Sequence, residues 1–439
     1  MSGNLRITSA LMDATLLEMP WHVPLDEWPD DVVVTLPKGI SRHLVRFAHL
    51  SGRVVALKET SDEMARGEYD MLRRLQRLQV PCVEPLAVVA GRVDDAGEPL
   101  DTILATRHLK FSMPYRALYS GSLKVATAQR LVDALALLLV RLHLVGFFWG
   151  DVSLSNTLFR RDAGAFAAYL VDAETGKLYP SGLSRGQREN DLEIARVNIA
   201  GELLDLQAGG RLDDGQDPVD VAGSIVAQYR ELWAQLTEVE QFDQAERWRI
   251  NERVERLNAL GFDIEELQIR TDSEGTSVRI QPKVVDAGHH HRRLLGLTGL
   301  DAEENQARRM LNDLDQFAAS QRRRDPDADD EQLAHDWLVT RFEPVVQSVP
   351  RHLRGKFEPA EIFHQVLEHR WYVAERESRS VPLAEAVQSY VVDVLEHRRD
   401  EAAVLGVSTQ TIPIRIVGPG GLPMGDDDDE DEVDWRDLV

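Results

Sequence analysis

One cysteine in 439 residues, Cys82, excludes an intrachain disulfide and any cysteine-rich zinc site. A chain so poor in thiols fits a reducing compartment, and Cys82 itself reads as a small buried apolar residue. Nowhere do roughly 18 apolar residues run together, so no segment reads as a membrane span. No apolar stretch follows a basic one near the start, as a secretory leader would require, and cytoplasmic residence is the expectation. Basic residues are also short, 50 against 74 acidic, for a formal charge of −24. Such a surface repels a phosphate backbone and argues against a nucleic-acid partner. The terminal stretch GDDDDEDEVDWRDLV holds nine of the acids and one Arg, or −8, so the body carries the remaining −16.

The length predicts roughly two to three domains. Residues 1–30 are polar and broken by proline, with Trp21 and Trp28 as aromatic anchors, and read as an extension lying on a lobe surface. From 31 the pattern becomes strand-like. Val32–Leu36 precedes a Pro37-Lys38-Gly39 turn, HLVRFAHL alternates, and Ser51-Gly52 turns the chain into RVVALK, giving three antiparallel strands in a row. Ser61 with Asp62 and Glu63 starts a helix that carries Leu72, Leu75 and Leu78 on one face. Two apolar strands follow, near Val83–Val89 and Thr102–Thr106. Leu131, Leu135, Leu138 and Leu142 recur at helical spacing in a segment apolar all round, which predicts a buried helix. Asp191–Leu206 reads as another core helix.

This order, three strands, a helix, two strands and then mainly helix, prompts a search for nucleotide-handling residues. In Val55-Ala56-Leu57-Lys58, period-2 alternation puts Ala56 and Lys58 on one face, so that the small residue makes room for a flat base while the ammonium reaches the phosphates. Glu68 on the next helix is placed to orient Lys58. After the buried helix comes LHLVGFFWGDVSLSNTLF, in which Asp151 and Asn156 have the D-x-x-x-x-N spacing of a kinase catalytic loop: the carboxylate for the attacking hydroxyl, the amide oxygen for a magnesium ion. A strand, AAYLV, then delivers Asp172 at the position of a second metal ligand. Glu174 reads either as an aid to that metal or as a cap on the following turn.

These runs, LHxxGxxxGDxSxxN followed by VDxE, resemble the lipopolysaccharide-kinase, RIO and aminoglycoside-phosphotransferase branch of the protein-kinase-like superfamily. PKGISRHLVRF, FFWGDVSLSNTLFRRDAG and PKVVDAGHH extend the likeness over about residues 15–400, to a bacterial lipopolysaccharide-kinase-like (Kdo/WaaP) family with a C-terminal domain of unknown function. The resemblance implies an α+β, two-lobed fold with an antiparallel-sheet small lobe at 31–110 and a mainly helical large lobe at 111–227. A mostly helical domain with a strand pair would follow at 228–400, and an acidic disordered tail at 401–439. It further implies ATP and Mg²⁺ as cofactors, with Lys58, Glu68, Ala56 and Gly39 on the nucleotide, Asp151 as catalytic carboxylate, and Asn156 and Asp172 on the metal. Asp191 would hold the catalytic-loop backbone, with His143 supporting the same loop. The implied activity is phosphoryl transfer to an unidentified hydroxyl; the alternative is a pseudokinase serving as a nucleotide-sensing scaffold.

Several positions depart from the superfamily pattern. The turn PKGISR has a single glycine, Gly39, where a phosphate-covering loop is normally glycine-rich. Gly150 replaces the arginine that would pair with a phosphorylated activation loop, which argues against control by that route. In the last third, His289-His290-His291 suggests a metal site, but consecutive side chains on a helix diverge by about 100° and cannot share one ion. The helix EIFHQVLEHRWYVAERE, with Trp371 and Tyr372, reads as core packing. The C-terminal region is expected to pack on the large lobe, and it or the acidic tail offers a surface for a protein partner.

Overall fold

The computed structural model describes residues 5–10, 13–34, 43–50, 52–119, 123, 125–212, 215–243, 246, 248–271 and 277–398. Gly39 and the rest of the PKGISR turn, residues 272–276 between the expected strand pair, and the acidic tail lie outside these residues.

The small lobe is a six-stranded antiparallel sheet. Its strands are β1 (Arg6–Ser9), β2 (Val33–Val34), β3 (Val45–Leu50), β4 (Arg53–Thr60), β5 (Pro85–Ala90) and β6 (Thr102–Arg107), in the order β1-β5-β6-β4-β3-β2. The anticipated strands are present, and β4 alternates as expected: Val55 and Leu57 are buried in one core, whereas Ala56 and Lys58 face the other way. Helix α1 (Asp62–Arg77) crosses behind the sheet. Ser61 caps it by accepting from the Met64 N–H, and acids in its first turn with Arg74 and Arg77 in its last complement the helix dipole. Leu72 and Leu75 are buried as expected, but Leu78 is the C-terminal cap and exposed, because the helix stops before another turn can carry it inward.

The N-terminal segment does more than lie on a surface. Arg6–Ser9 pairs antiparallel with β5 and forms a sheet edge, while Trp21 and Trp28 are buried edge to face with centroids 5.3 Å apart. Arg92, buried, donates to the carbonyls of Trp21, Val23 and Asp101 and to Glu59, fixing the segment to the sheet. Carbonyls with no strand partner are thereby satisfied inside the protein.

The large lobe comprises β7 (Met113–Pro114), α2 (Tyr115–Tyr119), α3 (Val125–Leu144), β8 (Phe147–Phe148), β9 (Thr157–Asp162), β10 (Ala165–Leu170), β11 (Lys177–Leu178), α4 (Arg185–Ala208) and α5 (Pro218–Thr237). Helix α3 is its centre, with Leu131, Leu135, Leu138 and Leu142 all buried. Burying each contributes roughly 1.5–3 kcal/mol. Helix α5 runs through position 227/228, where the lobe boundary is expected from sequence. The apolar series Ile225, Val226, Tyr229, Leu232 and Leu236 continues unbroken across that position and holds both halves of the helix on one core.

Beyond α5 lie β12 (Glu240–Asp243), α6 (Trp248–Ala259), β13 (Phe262–Thr271) and β14 (Ser277–Ala287), a three-stranded sheet in the order β12-β14-β13. Helices α7 (His289–Thr298), α8 (Glu304–Arg322), α9 (Asp330–Trp337), α10 (Glu343–Ser348), α11 (Pro359–Glu377) and α12 (Leu383–Asp393) enclose a separate core around Trp337, Phe342 and Phe363. Leu257 and Phe262 of this region join the large-lobe core, and the helices pack on the large lobe through polar groups. Asp162 accepts from Gln306 N and Asn305 Nδ2, both at 2.8 Å. Arg160 bridges Glu303 at 2.9 Å and Glu358 at 2.5 Å, and Glu361 accepts from Ala163 N. The three histidines at the start of α7 take three different partners, Asp263, Glu304 and the Ala302 carbonyl, as their divergence on a helix requires. Trp371 and Tyr372 are a correction: both are more than half exposed, because the buried face of α11 is set by Ile362, Phe363, Val366 and Val373.

Candidate active site

The cleft is assembled from four segments. Strand β4 presents Lys58, whose Nζ lies 3.0 Å from Glu68 Oε2, 2.8 Å from Asp172 Oδ2 and 2.9 Å from Glu174 Oε2. Glu68 is buried in α1. Burial opposes the Lys58 charge, but Glu68 and Asp172 outweigh it and raise its pKa. Glu68 is pushed up to about 7 by burial and by Asp172, against the pull of Lys58. Three carboxylates converge on one ammonium, with an oxygen from each within 4.8 Å of the others. Glu174 therefore belongs to the charged cluster, and His43 Nε2 stands 3.2 Å from the same oxygen. The cap role belongs instead to Asp172, whose Oδ1 accepts from the Glu174 N–H.

The loop after β8 is fixed from below. Asp191, fully buried on α4, accepts from Trp149 N and Gly150 N, both at 2.8 Å, and from His143 Nε2 at 3.1 Å. Burial lowers the His143 pKa and keeps it neutral, so Nε2–H donates to Asp191 while Nδ1 accepts the Tyr229 hydroxyl at 2.7 Å. Asp191 and His143 thus sit where the family resemblance implies. Gly150 has φ +77°, a left-handed conformation in which an added Cβ would also stand 3.0 Å from Phe148. The residue before Asp151 has to be small here, which accounts for the missing arginine. Trp149 ties the loop to the far side of the cleft: its Nε1 donates to the Asp172 carbonyl, and its own carbonyl accepts from Thr175 Oγ1, both at 2.8 Å.

Asp151 is held by two amides. Asn156 Nδ2 donates to its carbonyl at 3.1 Å and to Oδ2 at 3.2 Å, and Asn198 Nδ2 donates to Oδ1 at 3.2 Å. Glu202, one turn beyond Asn198, accepts from Leu154 N at 2.7 Å and Ser155 N at 3.0 Å. Sequence reasoning missed Asn198 and Glu202. The signal was present: Asp191, Asn198 and Glu202 are spaced i, i+7, i+11, which puts three polar residues on one face of a core helix. A cavity of about 400 Å³ opens here, bordered by Asp151, Asn156, Asp172, Glu174, Asn198 and Glu202 among others.

Lys58, Glu68 and Asp172 meet directly, Asp151 and Asn156 face the same cavity, and Ala56 shares a strand face with Lys58. A strand lysine held by a helix glutamate, above a D-x-x-x-x-N loop and a carboxylate on the next strand exit, defines the kinase-like class of fold. In keeping with it, residues 46–196 match the lipopolysaccharide kinase (Kdo/WaaP) family, and residues 231–395 match a domain of unknown function (DUF4032). A solved structure, WaaP in complex with acyl carrier protein, is similar at 15% identity over 46% of this chain and 79% of that one, with a TM-score of 0.33. No curated protein matches the chain. No helix among the described residues is long and apolar enough to cross a membrane.

Proposed function

We propose that this chain is an ATP- and Mg²⁺-dependent phosphotransferase that acts on a hydroxyl group, with Asp151 as its catalytic carboxylate. The observation that carries the reading is the state of Asp151: both carboxylate oxygens accept from side-chain amides while the group borders an open cavity, so it is oriented yet accessible. A positioned carboxylate can orient an acceptor hydroxyl and take up its proton as the phosphorus–oxygen bond forms.

The cluster fits a hard cation. Asp172 and Glu174 offer carboxylate oxygens on the cavity wall, and Asn156, whose amide nitrogen is used on Asp151, has its oxygen as the remaining ligand atom. A magnesium ion bound there would neutralise charge on the transferring phosphoryl group. Lys58 would move its ammonium from Asp172 to the phosphates, with Glu68 keeping it oriented. Asp191, Glu202 and Asn198 would hold the loop still, so that Asp151 need not reorganise during the reaction.

The test is to incubate the full chain with Mg-ATP and follow phosphate release and transfer, with Asp151→Asn alongside. Wild type should turn over and the variant should lose on the order of 10²-fold or more. Equal traces from the two would remove the enzyme reading. Thermal stabilisation by Mg-ATP with no turnover in either protein would favour a nucleotide sensor.

A further inference from the structure

A second cavity, of about 390 Å³, lies where three parts of the chain meet: the end of α1 with the loop to β5, the large-lobe elements α3, β9 and β10, and the start of the C-terminal unit. It is separate from the catalytic cavity and shares none of its lining residues. Its size is that of a small-molecule site, and far beyond the roughly 30 Å³ of one water.

Its wall is strongly polar and unevenly balanced. Asp301, Glu303, Glu304 and Glu358 contribute four carboxylates, against the guanidiniums of Arg141 and Arg160. Arg160 is used up on Glu303 and Glu358. Glu304 is committed to His290, accepting from its backbone N–H and pairing with its ring at 2.7 Å. Arg141 is different. Among the described residues its guanidinium makes no hydrogen bond or ion pair, its Nε is inaccessible to solvent and unpartnered, and Glu304, Tyr169 and Glu303 act on it only through space, against the repulsion of Arg292. Arg141 is half-buried as a whole, but a guanidinium whose Nε is shut off from water is normally paired. Arg141 lines the cavity from α3, and a Cβ at Gly288 would stand 3.5 Å from its Nη2 and 3.4 Å from Arg292 Nη1, so a second guanidinium lies close by.

A simple anion would meet Arg141 but also the surplus of acids. A molecule carrying both charges satisfies both, with its carboxylate accepting the fork of Arg141 and its ammonium facing the glutamates. The amides of Gln76 and Gln79 on the same wall add neutral hydrogen-bonding groups, and Val80 and Cys82 an apolar strip. Cys82 is no nucleophile here, because burial pushes its thiol up to about 12. We propose that this cavity binds a small zwitterion of the α-amino-acid type, anchored by its carboxylate on Arg141. The site is independent of the phosphotransfer reading and would stand if that reading failed.

The experiment melts the full-length protein in the presence of each common α-amino acid, then compares any that stabilises with its carboxamide, which lacks the carboxylate. At about 10 mM, at least one amino acid should raise Tm by about 2 °C or more in wild type, while its carboxamide should not. Arg141→Met should abolish the shift. The proposal is overturned if no amino acid stabilises, if the carboxamide does so equally, or if the shift survives in Arg141→Met. The carboxamide comparison decides the matter on wild-type protein even if the variant fails to fold.

Discussion

Lys58 meets Asp172 directly across the cleft, Nζ to Oδ2 at 2.8 Å, and so links the small lobe to the large one, where in the phosphotransferase reading the phosphates would lie. The same ammonium is the nearest compensation for Glu68 and Glu174. Removing it leaves three converging carboxylates, one of them fully desolvated.

Lys58→Met should therefore destabilise the protein by about 3–5 kcal/mol, the usual cost of breaking a buried pair from one side. The loss should be partly reversed by millimolar Mg²⁺, because a divalent cation can replace the ammonium among oxygens that lie within 4.8 Å of each other. Thermal melts of wild type and variant with and without Mg²⁺ check this. A variant that gains no more from Mg²⁺ than wild type does would show that the three carboxylates do not form a cation site.

Asn198 shares the orientation of Asp151 with Asn156 but contributes nothing to the cluster around Lys58. In the phosphotransferase reading, Asn198→Ala should lower kcat for ATP turnover by about 10-fold, on the order of 1.4 kcal/mol, with KM for ATP little changed. Asn198→Asp should do worse, since a second carboxylate beside Asp151 disfavours its ionised form. Initial rates over a range of ATP concentrations separate the two parameters. A shift in KM alone would assign Asn198 to nucleotide binding instead.

The parts of this architecture that the sequence reveals are those encoded within a few residues. The alternation of Ala56 and Lys58, the spacing from Asp151 to Asn156 and the apolar repeat of α3 each depend on local geometry. Asp191 comes through the family resemblance, since its partners at Trp149 and Gly150 lie about forty residues away. What escaped depends on partners distant in sequence. Arg6–Ser9 has no strand pattern of its own and is extended because β5 presents an open edge. Trp21 and Trp28 are buried in a core completed by Leu50, Val55, Leu86 and Ile103, and Arg92 pins the carbonyls of Trp21 and Val23 from some seventy residues on. Glu174 reads as a metal aid or a turn cap until Lys58, 116 positions away, draws it into the charged cluster. The seam between Asp162 and Gln306 joins elements 144 residues apart, and nothing in either segment announces the other.

Asp191 supports the loop through charge as well as through position. Asp191→Asn keeps the shape but replaces one acceptor by an N–H₂ group facing the donors at Trp149, Gly150 or His143. A buried donor opposed by a donor loses the bond and leaves two groups unsatisfied, so about 2–4 kcal/mol of stability should be lost. The tautomer of His143 should also respond, with Nε2 losing its carboxylate. Denaturant unfolding measures the first effect, and the ring ¹⁵N shifts of His143 the second. A change of less than about 0.5 kcal/mol would show that the loop holds its shape without Asp191.

Asp162 gives the contact between the large lobe and the C-terminal unit a dependence on pH. It is buried where Glu303 also lies, and burial followed by that neighbouring charge pushes its pKa up to about 7 from the usual 3.8. Between those two values the folded protein keeps a proton that the unfolded chain has released. Stability contributed by this group is therefore present at low pH and lost as pH rises toward 7, at up to about 1.4 kcal/mol per pH unit; above 7 both states are ionised and the slope vanishes. Asp162→Asn removes the ionisation while keeping an acceptor for Gln306 N. Glu68, Glu202 and Glu358 also have raised pKa values and titrate in both proteins, so their effects cancel in the comparison. On moving from pH 5 to pH 8, wild type should lose on the order of 2 kcal/mol more than the variant does. Equal losses in the two proteins would show that Asp162 is ionised throughout and that its hydrogen bonds outweigh its burial.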